Sequence, residues 1–168
     1  MKRSKLEAAS WLAVVHAYQE CNRRYARLLD AFELTIPQFD VLTAIARSAQ
    51  TTPKAIADEL IVTRGNVTGV LRRLQDRGLI ETRNNPADAR SFFCELTPAG
   101  KRLLDDALSA ASQFVTAQLA PFSDAELERT QGQMLAMREH LQQLDVDALI
   151  SQSRHRSNQS AKTGARQG

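Results

Sequence analysis

The side chains of this sequence that are best suited to binding an anion are arginines, and six of them gather in one stretch. Between Ile61 and Arg90 they stand against three acidic residues, a local charge of +3: Arg64, Arg72, Arg73, Arg77, Arg83 and Arg90. Residues 1–150 as a whole carry 18 basic and 19 acidic side chains, so the body outside this stretch is acidic. Guanidinium groups bind phosphates and the acceptor edge of guanine, and a local patch of them indicates a nucleic-acid partner.

A second candidate for chemistry is the loop NNPADARSFF, which has a Pro, an Asp and an Arg within five residues. It joins two β-prone runs near residues 79–83 and 91–96, and so predicts one exposed hairpin. Arg90 can reach into a narrow minor groove, where the negative potential is enhanced, while Asp88 holds that side chain in position. The alternative is a surface ion pair, worth about 0–1 kcal/mol.

Four helices are predicted before the hairpin. Apolar residues at positions 11–32 are spaced three and four apart, which is typical of one long amphipathic helix. A proline in the first turn predicts a second helix at 37–47. A third helix, 54–60, and a fourth with Thr63 as N-cap are separated by a three-residue turn, and this arrangement predicts a helix-turn-helix.

Two long helices are predicted after the hairpin. Thr97-Pro98 opens the fifth, and a capping box at Ser123 opens the sixth, which has a heptad-like apolar seam. The predicted fold is mainly α: a winged helix-turn-helix at 35–97 with one β-hairpin wing. Long terminal helices at 10–33 and 98–145 complete a single domain, 1–150. Residues 151–168 carry four basic and no acidic side chains and are expected to form a disordered basic tail.

These segments, in this order, resemble the MarR family (multiple-antibiotic-resistance-type regulators) over roughly residues 10–145. LTIPQFDVL resembles the family's entry to its second helix, and TRGNVTGVLRRLQDRGLIET its recognition helix and first wing strand. NPADARSFFCELTPAGKRLL resembles its wing, with the Asp-x-Arg signature at Asp88 and Arg90. The family often has Asp where Asn85 stands and Arg where Ala89 stands. Because Arg90 has no neighbouring Arg to share its role, we expect minor-groove binding by this wing to depend more strongly on Arg90.

In a winged helix-turn-helix the second short helix lies in the major groove, with its N-terminal residues at base edges. Arginine pairs with guanine and asparagine with adenine, each good pair giving about 1–3 kcal/mol of discrimination. The residues that we expect at the DNA are Thr63, Arg64, Asn66, Thr68, Arg72, Arg73, Arg83, Asp88 and Arg90. Arg64, Asn66 and Thr68 are the candidates for base edges, and the later arginines are the candidates for phosphates.

Three other residues of this stretch are assigned differently. Gly65 and Gly69 are four apart and lie on one helix face. Either this bare face lets the backbone approach DNA closely, or the fold merely tolerates two glycines that cost roughly 1 kcal/mol each relative to alanine. Arg77 is expected to be a solvated charge.

The resemblance implies a homodimeric repressor that reads a pseudo-palindrome with half-sites about 10 bp apart. The apolar seams of the terminal helices offer the pairing surface, although part of them must pack within one chain. The family commonly binds small phenolic or other aromatic effectors between the dimer helices and the DNA-binding lobe. Trp11, His16, Tyr18 and Arg47 could line such a cleft, but Trp11 and Tyr18 also lie on the apolar stripe, and core packing is the favoured interpretation for both.

Other functions leave weaker signals. Some relatives sense peroxide through a cysteine near the start of the first helix, where this chain has Trp11; Cys21 and Cys94 are therefore interpreted as buried thiols, and a redox-sensing regulator is kept as an alternative. A helical dimeric protein-interaction module without sequence-specific DNA binding is the other alternative.

Several functional classes have no supporting motif. The cysteines and histidines form no metal-ligand cluster, and there is neither a nucleophile–base arrangement nor a phosphate-binding loop. We therefore expect no metal, no cofactor and no enzymatic activity. The absence of a signal-peptide pattern and of a long apolar run predicts a cytoplasmic protein without membrane association.

Overall fold

The computed structural model describes residues 3–48, 51–86, 88 and 91–151 of the 168-residue chain. The elements in chain order are α1 (Arg3–Asp30), α2 (Ile36–Arg47), α3 (Pro53–Leu60), α4 (Arg64–Asp76), β1 (Ile80–Asn84), β2 (Phe92–Leu96), α5 (Pro98–Leu119) and α6 (Asp124–Gln143). The predicted fold class, mainly helical with a β-hairpin, is confirmed. Internal contacts divide the chain into two units, Met1–Gln118 and Leu119–Gly168. The predicted tail beyond Ser151 lies outside the described residues.

Threonines set the starts of α2, α3 and α4. Thr35, Thr52 and Thr63 each accept a hydrogen bond from the backbone N–H three residues onward, at 3.4, 3.2 and 3.4 Å. Each of these bonds satisfies one of the N–H groups that has no partner within its own helix. The three helix starts lie within one residue of their predicted positions, whereas α1 begins well before the predicted residue 10.

The turn between α3 and α4 is held in an uncommon backbone conformation. Ile61 ends α3 with φ 55° and ψ 46°, in the left-handed region, and its side chain is 92% exposed. Val62 N then donates to the Ala57 carbonyl at 3.0 Å, which closes the helix end. The turn redirects the chain in three residues, because Thr63 already caps the next helix.

The hydrophobic core of the first unit is built mainly from one face of each short helix. Phe39, Leu42 and Ile45 come from α2, while α3 adds Ile56. The complete buried apolar set is Leu29, Leu34, Phe39, Val41, Leu42, Ala44, Ile45, Ile56, Ala57, Val67, Leu71, Leu74, Leu79, Ile80, Cys94, Leu104, Ala107 and Ala111. These side chains lock α4 and the hairpin onto α2 and α3, so the two elements that carry the arginines share one rigid base.

The N-terminal half of α1 does not join this core. Trp11 and Tyr18 are 60% and 68% exposed, so the expectation that both pack in the core is wrong for the single chain. The reason is length: α1 has 28 residues and is about 42 Å long. Only its C-terminal part, from Tyr25 onward, packs against the core cluster, where Tyr25 meets Phe39 edge to face at 5.9 Å between ring centroids.

The two strands pair antiparallel, with a register that runs from Ile80 opposite Leu96 to Asn84 opposite Phe92. The inner end of the hairpin is tied to the helical base, because Cys94 N donates to the Thr51 carbonyl at 2.8 Å. Ile80 and Cys94 are buried, whereas the side chains of residues 81–84 are exposed. The base of the hairpin is therefore part of the core, and the hairpin becomes solvent-exposed towards its tip.

The second unit contains α6. The predicted capping box is confirmed at its start, where Glu126 Oε2 accepts hydrogen bonds from Ser123 N at 2.9 Å and from Ser123 Oγ at 2.7 Å. The apolar seam of α6 is open within this unit, since Met134, Met137 and Leu141 are 40%, 38% and 55% exposed. Such a run of exposed apolar side chains is typical of a surface that is covered by another chain or element.

Gly100, in the first turn of α5, fits because it lacks a side chain. A Cβ atom there would lie 1.9 Å from the Leu79 carbonyl oxygen, which is backbone and cannot move aside easily. The approach is fixed by Thr97, whose hydroxyl donates to the Gly78 carbonyl at 2.7 Å and accepts from Gly100 N at 3.0 Å. Close packing of α5 on the base of the wing thus requires glycine at this position.

We predict that Gly100→Ala lowers the free energy of unfolding by about 1–3 kcal/mol or more, because the added methyl group overlaps backbone atoms. Urea denaturation measures the change. Gly132→Ala is the matched control, since nothing lies within 4 Å of its Cβ position in α6; this substitution should be neutral or stabilising. A Gly100→Ala protein as stable as the parent would contradict the packing described for α5.

Candidate nucleic-acid interface

The start of α4 presents its polar side chains to solvent. Arg64, Asn66 and Thr68 are all exposed, while Val67 between them is buried. The Thr68 hydroxyl donates to the Arg64 carbonyl at 2.9 Å, which leaves its oxygen as an acceptor. The unpaired N–H groups and the positive end of the helix dipole lie at the same place and favour an anion.

The exposed face of α4 continues through its two glycines to two arginines. Gly65 and Gly69 have no atom within 4 Å of an added Cβ, so packing within the chain does not require either glycine. Arg72 and Arg73 follow on the exposed side. The helix therefore offers a polar start, a bare centre and a cationic end on one surface.

The hairpin holds the remaining predicted residues. The Arg83 guanidinium forms an ion pair with Glu95 on the neighbouring strand, so it is already partnered in the free protein. At the loop, Asp88 N donates to the Asn85 carbonyl at 3.2 Å and Ser91 N donates to the Asp88 carbonyl at 2.9 Å. The Asp88 backbone is thus fixed at the tip. Arg90 lies outside the described residues.

Arg77 is not the solvated charge that the sequence suggested. Its Nη1 donates to the Glu33 carbonyl at 2.6 Å, and its Nη2 lies 3.7 Å from Glu33 Oε2. Glu33 itself has φ 55° in the turn after α1. Arg77 therefore anchors the C-terminal end of α4 to that turn. The partner is 44 residues away in the sequence, and no local pattern indicates it.

A cavity of about 490 Å³, which we call the Asp40 cavity, lies beside α4. Its lining comprises Pro37, Asp40, Val41, Leu60, Val62, Gly65, Asn66, Val67, Gly69, Val70 and Arg73. Burial raises the pKa of the Asp40 carboxyl above its ordinary value. This cavity was not predicted from the sequence, although an acid between Phe39 and Val41 on a core helix was a signal for it.

None of the four residues predicted to bind an effector, Trp11, His16, Tyr18 and Arg47, lines the Asp40 cavity. Arg47 Nη1 forms a 2.8 Å ion pair with Glu59 Oε1, which ties the end of α2 to α3. Tyr18 lines a second cavity of about 410 Å³ between α1 and the start of α2. Trp11 and His16 are exposed and line neither of these two cavities.

The two thiols differ in environment. Cys94 is fully buried, and burial raises the pKa of its thiol to about 11, so it stays protonated and unreactive near neutral pH. Cys21 is half-buried, and its Sγ lies 3.4 Å from Gln118 Oε1. Across residues 3–48, 51–86, 88 and 91–151, no group of three or more His, Cys, Asp and Glu side chains could hold a metal ion. Over the same ranges, no helix is long and apolar enough to cross a membrane.

Proteins similar to this chain in sequence and fold are named as transcriptional regulators. The model of the MarR family matches residues 32–91. The organic hydroperoxide resistance transcriptional regulator of Bacillus subtilis (strain 168) is 26% identical over 139 residues, which cover 83% of this chain and 93% of that protein. The HTH-type transcriptional regulator MgrA of Staphylococcus aureus is 26% identical over 125 residues, 73% of this chain and 85% of that protein. The crystal structure of AbsC, a MarR family transcriptional regulator from Streptomyces coelicolor, matches with a TM-score of 0.76 at 16% identity, over 83% of this chain and 96% of that chain.

We predict that Gly65→Ala and Gly69→Ala each stabilise the fold by up to about 1 kcal/mol, because alanine is the better helix former and nothing obstructs its methyl group. Both should also weaken DNA binding, since the methyl groups keep the helix backbone away from the groove. Urea denaturation and fluorescence anisotropy on the same samples measure the two effects. Greater stability with unchanged DNA affinity would mean that the fold merely tolerates these glycines.

We also predict that Cys94 does not react with a thiol reagent such as dithionitrobenzoate until the protein unfolds, because its thiol is buried and protonated. A Cys21→Ser protein should therefore release no colour in buffer at pH 8 and one equivalent in urea. Rapid reaction of the native Cys21→Ser protein would show an accessible Cys94 and would reopen the possibility that this thiol senses oxidants.

Proposed function

We propose that this chain is a winged helix-turn-helix transcriptional regulator of the MarR family, and that it is a repressor that binds a pseudo-palindromic operator as a homodimer in the cytoplasm. The observation that carries the proposal is the exposed face of α4. This face combines a polar start, a centre without side chains and two arginines. The hairpin beside it packs on the same core. This arrangement supports insertion of α4 into the major groove and contact of the hairpin with the flanking backbone or minor groove.

The roles of individual residues follow from their positions. Arg64 and Asn66 are proposed to read base edges, with Thr63 and Thr68 at the same end of α4. Arg72 and Arg73 are proposed to bind phosphates. In the free protein Arg83 is paired with Glu95, so it must leave that partner to reach a phosphate.

The hairpin loop is proposed to add a minor-groove contact. Asp88 has its backbone fixed at the loop and is proposed to orient Arg90, which inserts into the groove. A groove narrowed by A·T-rich sequence would favour this insertion, because the negative potential is stronger there.

The dimer is proposed to form through the terminal helices. Trp11 and Tyr18 on α1 and Leu141 on α6 are large apolar or aromatic side chains that stay exposed in their own units, and a second copy would bury them. Two copies would place two α4 helices on half-sites one helical turn apart, about 10 bp centre to centre.

Release from DNA is proposed to follow binding of a small organic ligand rather than oxidation of Cys94. The name of the Bacillus subtilis relative links that protein to organic hydroperoxides. In this chain the thiol of Cys94 has a raised pKa and no exposed surface, which disfavours it as a sensor. Two cavities of about 490 and 410 Å³ are in the size range of small-molecule sites.

The test is fluorescence anisotropy with DNA that flanks the protein's own gene, across a salt series and against competitor DNA. Wild type should bind tightly, with an affinity that falls steeply as salt rises. Arg64→Ala and Asn66→Ala should each lose about 1–3 kcal/mol of discrimination between operator and competitor. Arg72→Ala should weaken binding to all sequences and lower the log–log salt slope by about 1 per subunit.

Arg24→Ala is the control, since Arg24 is exposed on α1 and pairs only with Glu20 among the ion pairs of the described chain. It should bind as wild type does. Equal affinity of wild type for operator and competitor, unchanged by the α4 substitutions, would contradict sequence-specific DNA binding. It would favour a protein-interaction role for the helical dimer.

A further inference from the structure

The Asp40 cavity is formed entirely within the helix-turn-helix. One wall is the start of α2, a second is the turn and the end of α3, and the third is α4. Val41, Leu60, Val62 and Val70 give it apolar walls. Its volume, about 490 Å³, suits a small organic molecule.

The carboxylate of Asp40 is the polar group that this cavity leaves uncompensated. Asp40 is half-buried, and within the described part of the chain its side chain forms neither an ion pair within 4 Å nor a hydrogen bond. Partial burial raises its pKa, because the charged form has lost part of its hydration and no cation among the described residues compensates for it. Asp40 is half-buried and its oxygens keep contact with solvent, so a cationic group that enters the cavity can pair with this carboxylate without displacing a partner in the protein.

Two other ionisable groups face this region. Arg73 lines the cavity but is exposed, and water and salt screen its charge more than they screen a charge at the Asp40 wall. Tyr25 is close enough for the charge of Asp40 to add to the effect of burial and raise the pKa of the Tyr25 hydroxyl. Neither neutralises Asp40, so the cavity lining holds a half-buried anionic group at Asp40 and an exposed cationic group at Arg73.

We propose that the Asp40 cavity binds a small organic amine with an apolar body, whose ammonium group pairs with the Asp40 carboxylate. The apolar walls would hold the body of the ligand. An acceptor at its far end, such as an ether or carbonyl oxygen, would lie towards Asn66 and Arg73. This ligand is a cation, whereas the family resemblance suggests small phenolic or other aromatic effectors, and its site involves no helix of the proposed dimer interface.

The position of the cavity gives the ligand a way to oppose DNA binding. Gly65, Asn66, Gly69 and Arg73 line the cavity and also belong to the face of α4 that is proposed to enter the groove. A ligand beside these four residues would occupy space that the DNA needs, so ligand and DNA would compete directly. This part of the inference rests on the proposed function, whereas the binding site itself does not.

The first experiment uses three compounds of the same shape and different charge: phenethylamine, 2-phenylethanol and phenylacetate. Each is titrated into ¹⁵N-labelled full-length protein without DNA, and the amide resonances of Gly65 and Gly69 report on the cavity. Phenethylamine should shift both resonances in a saturable manner, the alcohol should bind more weakly, and phenylacetate should bind least. Equal binding of the three compounds, or none, would overturn the proposal.

Asp40→Asn tests the role of the carboxylate with almost no change in shape. It should weaken phenethylamine binding about 10- to 100-fold, because a charge-assisted hydrogen bond is lost, and it should abolish the preference for the amine over the alcohol. Asp58→Asn removes an exposed acid from α3, outside the cavity lining, and should leave binding unchanged. Undiminished amine binding by Asp40→Asn would exclude Asp40 as the recognition group.

Asp40→Asn should fold at least as well as wild type at neutral pH. A raised pKa in the folded state means that the stability of wild type falls as pH rises above about 3.8, the ordinary Asp value, and through the pKa of Asp40; the amide escapes this loss. Thermal unfolding at pH 7 therefore verifies that any loss of ligand binding is not a loss of structure. A lower melting temperature than wild type would mean that the carboxylate has a stabilising partner and is not open to a ligand.

The second experiment separates the site from the proposed regulation. Anisotropy with operator DNA should show that phenethylamine raises the apparent Kd for DNA of wild type but not of Asp40→Asn. Amine binding that leaves the DNA affinity unchanged would contradict the proposed competition between amine and DNA. It would still support the Asp40 cavity as an amine-binding site. If wild type fails to bind DNA even without amine, the proposed function fails, and the resonance shifts still decide whether the cavity is an amine site.

Discussion

The surface that is proposed to face DNA depends on the burial of one side of α4. Val67, Leu71 and Leu74 are at most 4% exposed, and they fix the rotation of the helix about its axis. Because residues on a helix advance by about 100° each, burying these three turns the start of α4, its glycines and its arginines outward together. Replacing any of the three with a polar residue would therefore disturb every proposed base contact at once.

The same core also positions the wing. The side chain of Cys94 on β2 is buried, and its backbone N–H donates a hydrogen bond to the carbonyl of Thr51, just before α3. Gly100 lets α5 pack against Leu79 at the base of β1. Helix α4 and the hairpin thus share one packed base, which fixes their positions relative to each other.

Sequence patterns that act between residues only a few positions apart predicted the structure well. The N-cap of α4 at Thr63 and the capping box at Ser123 act within three residues, so the local sequence contains all of the information needed. The alternation of Phe92, Cys94 and Leu96 indicated a strand, and β2 spans those residues. Family resemblance then connected these local elements into one fold.

Features that depend on tertiary packing could not be predicted in this way. The bond from Arg77 to Glu33 joins residues that only the fold brings together. The exposure of Trp11 and Tyr18 reflects how far α1 extends beyond the core, which a heptad pattern does not encode. The Asp40 cavity needs three helices to exist at all. The proposed base-reading face was therefore predictable from the sequence of α4, whereas its overlap with the proposed ligand site was not, because that site also needs α2 and α3.

Amide hydrogen exchange of the full-length protein, with and without operator DNA, tests the central claim most directly. The first-turn amides of α4 lack intrahelical acceptors and should exchange fast in the free protein. If α4 enters the groove, exchange should slow at residues 64–69 and in the hairpin loop, and it should stay unchanged at the exposed middle of α6. Protection on α6 alone, with α4 and the hairpin unaffected, would contradict the account.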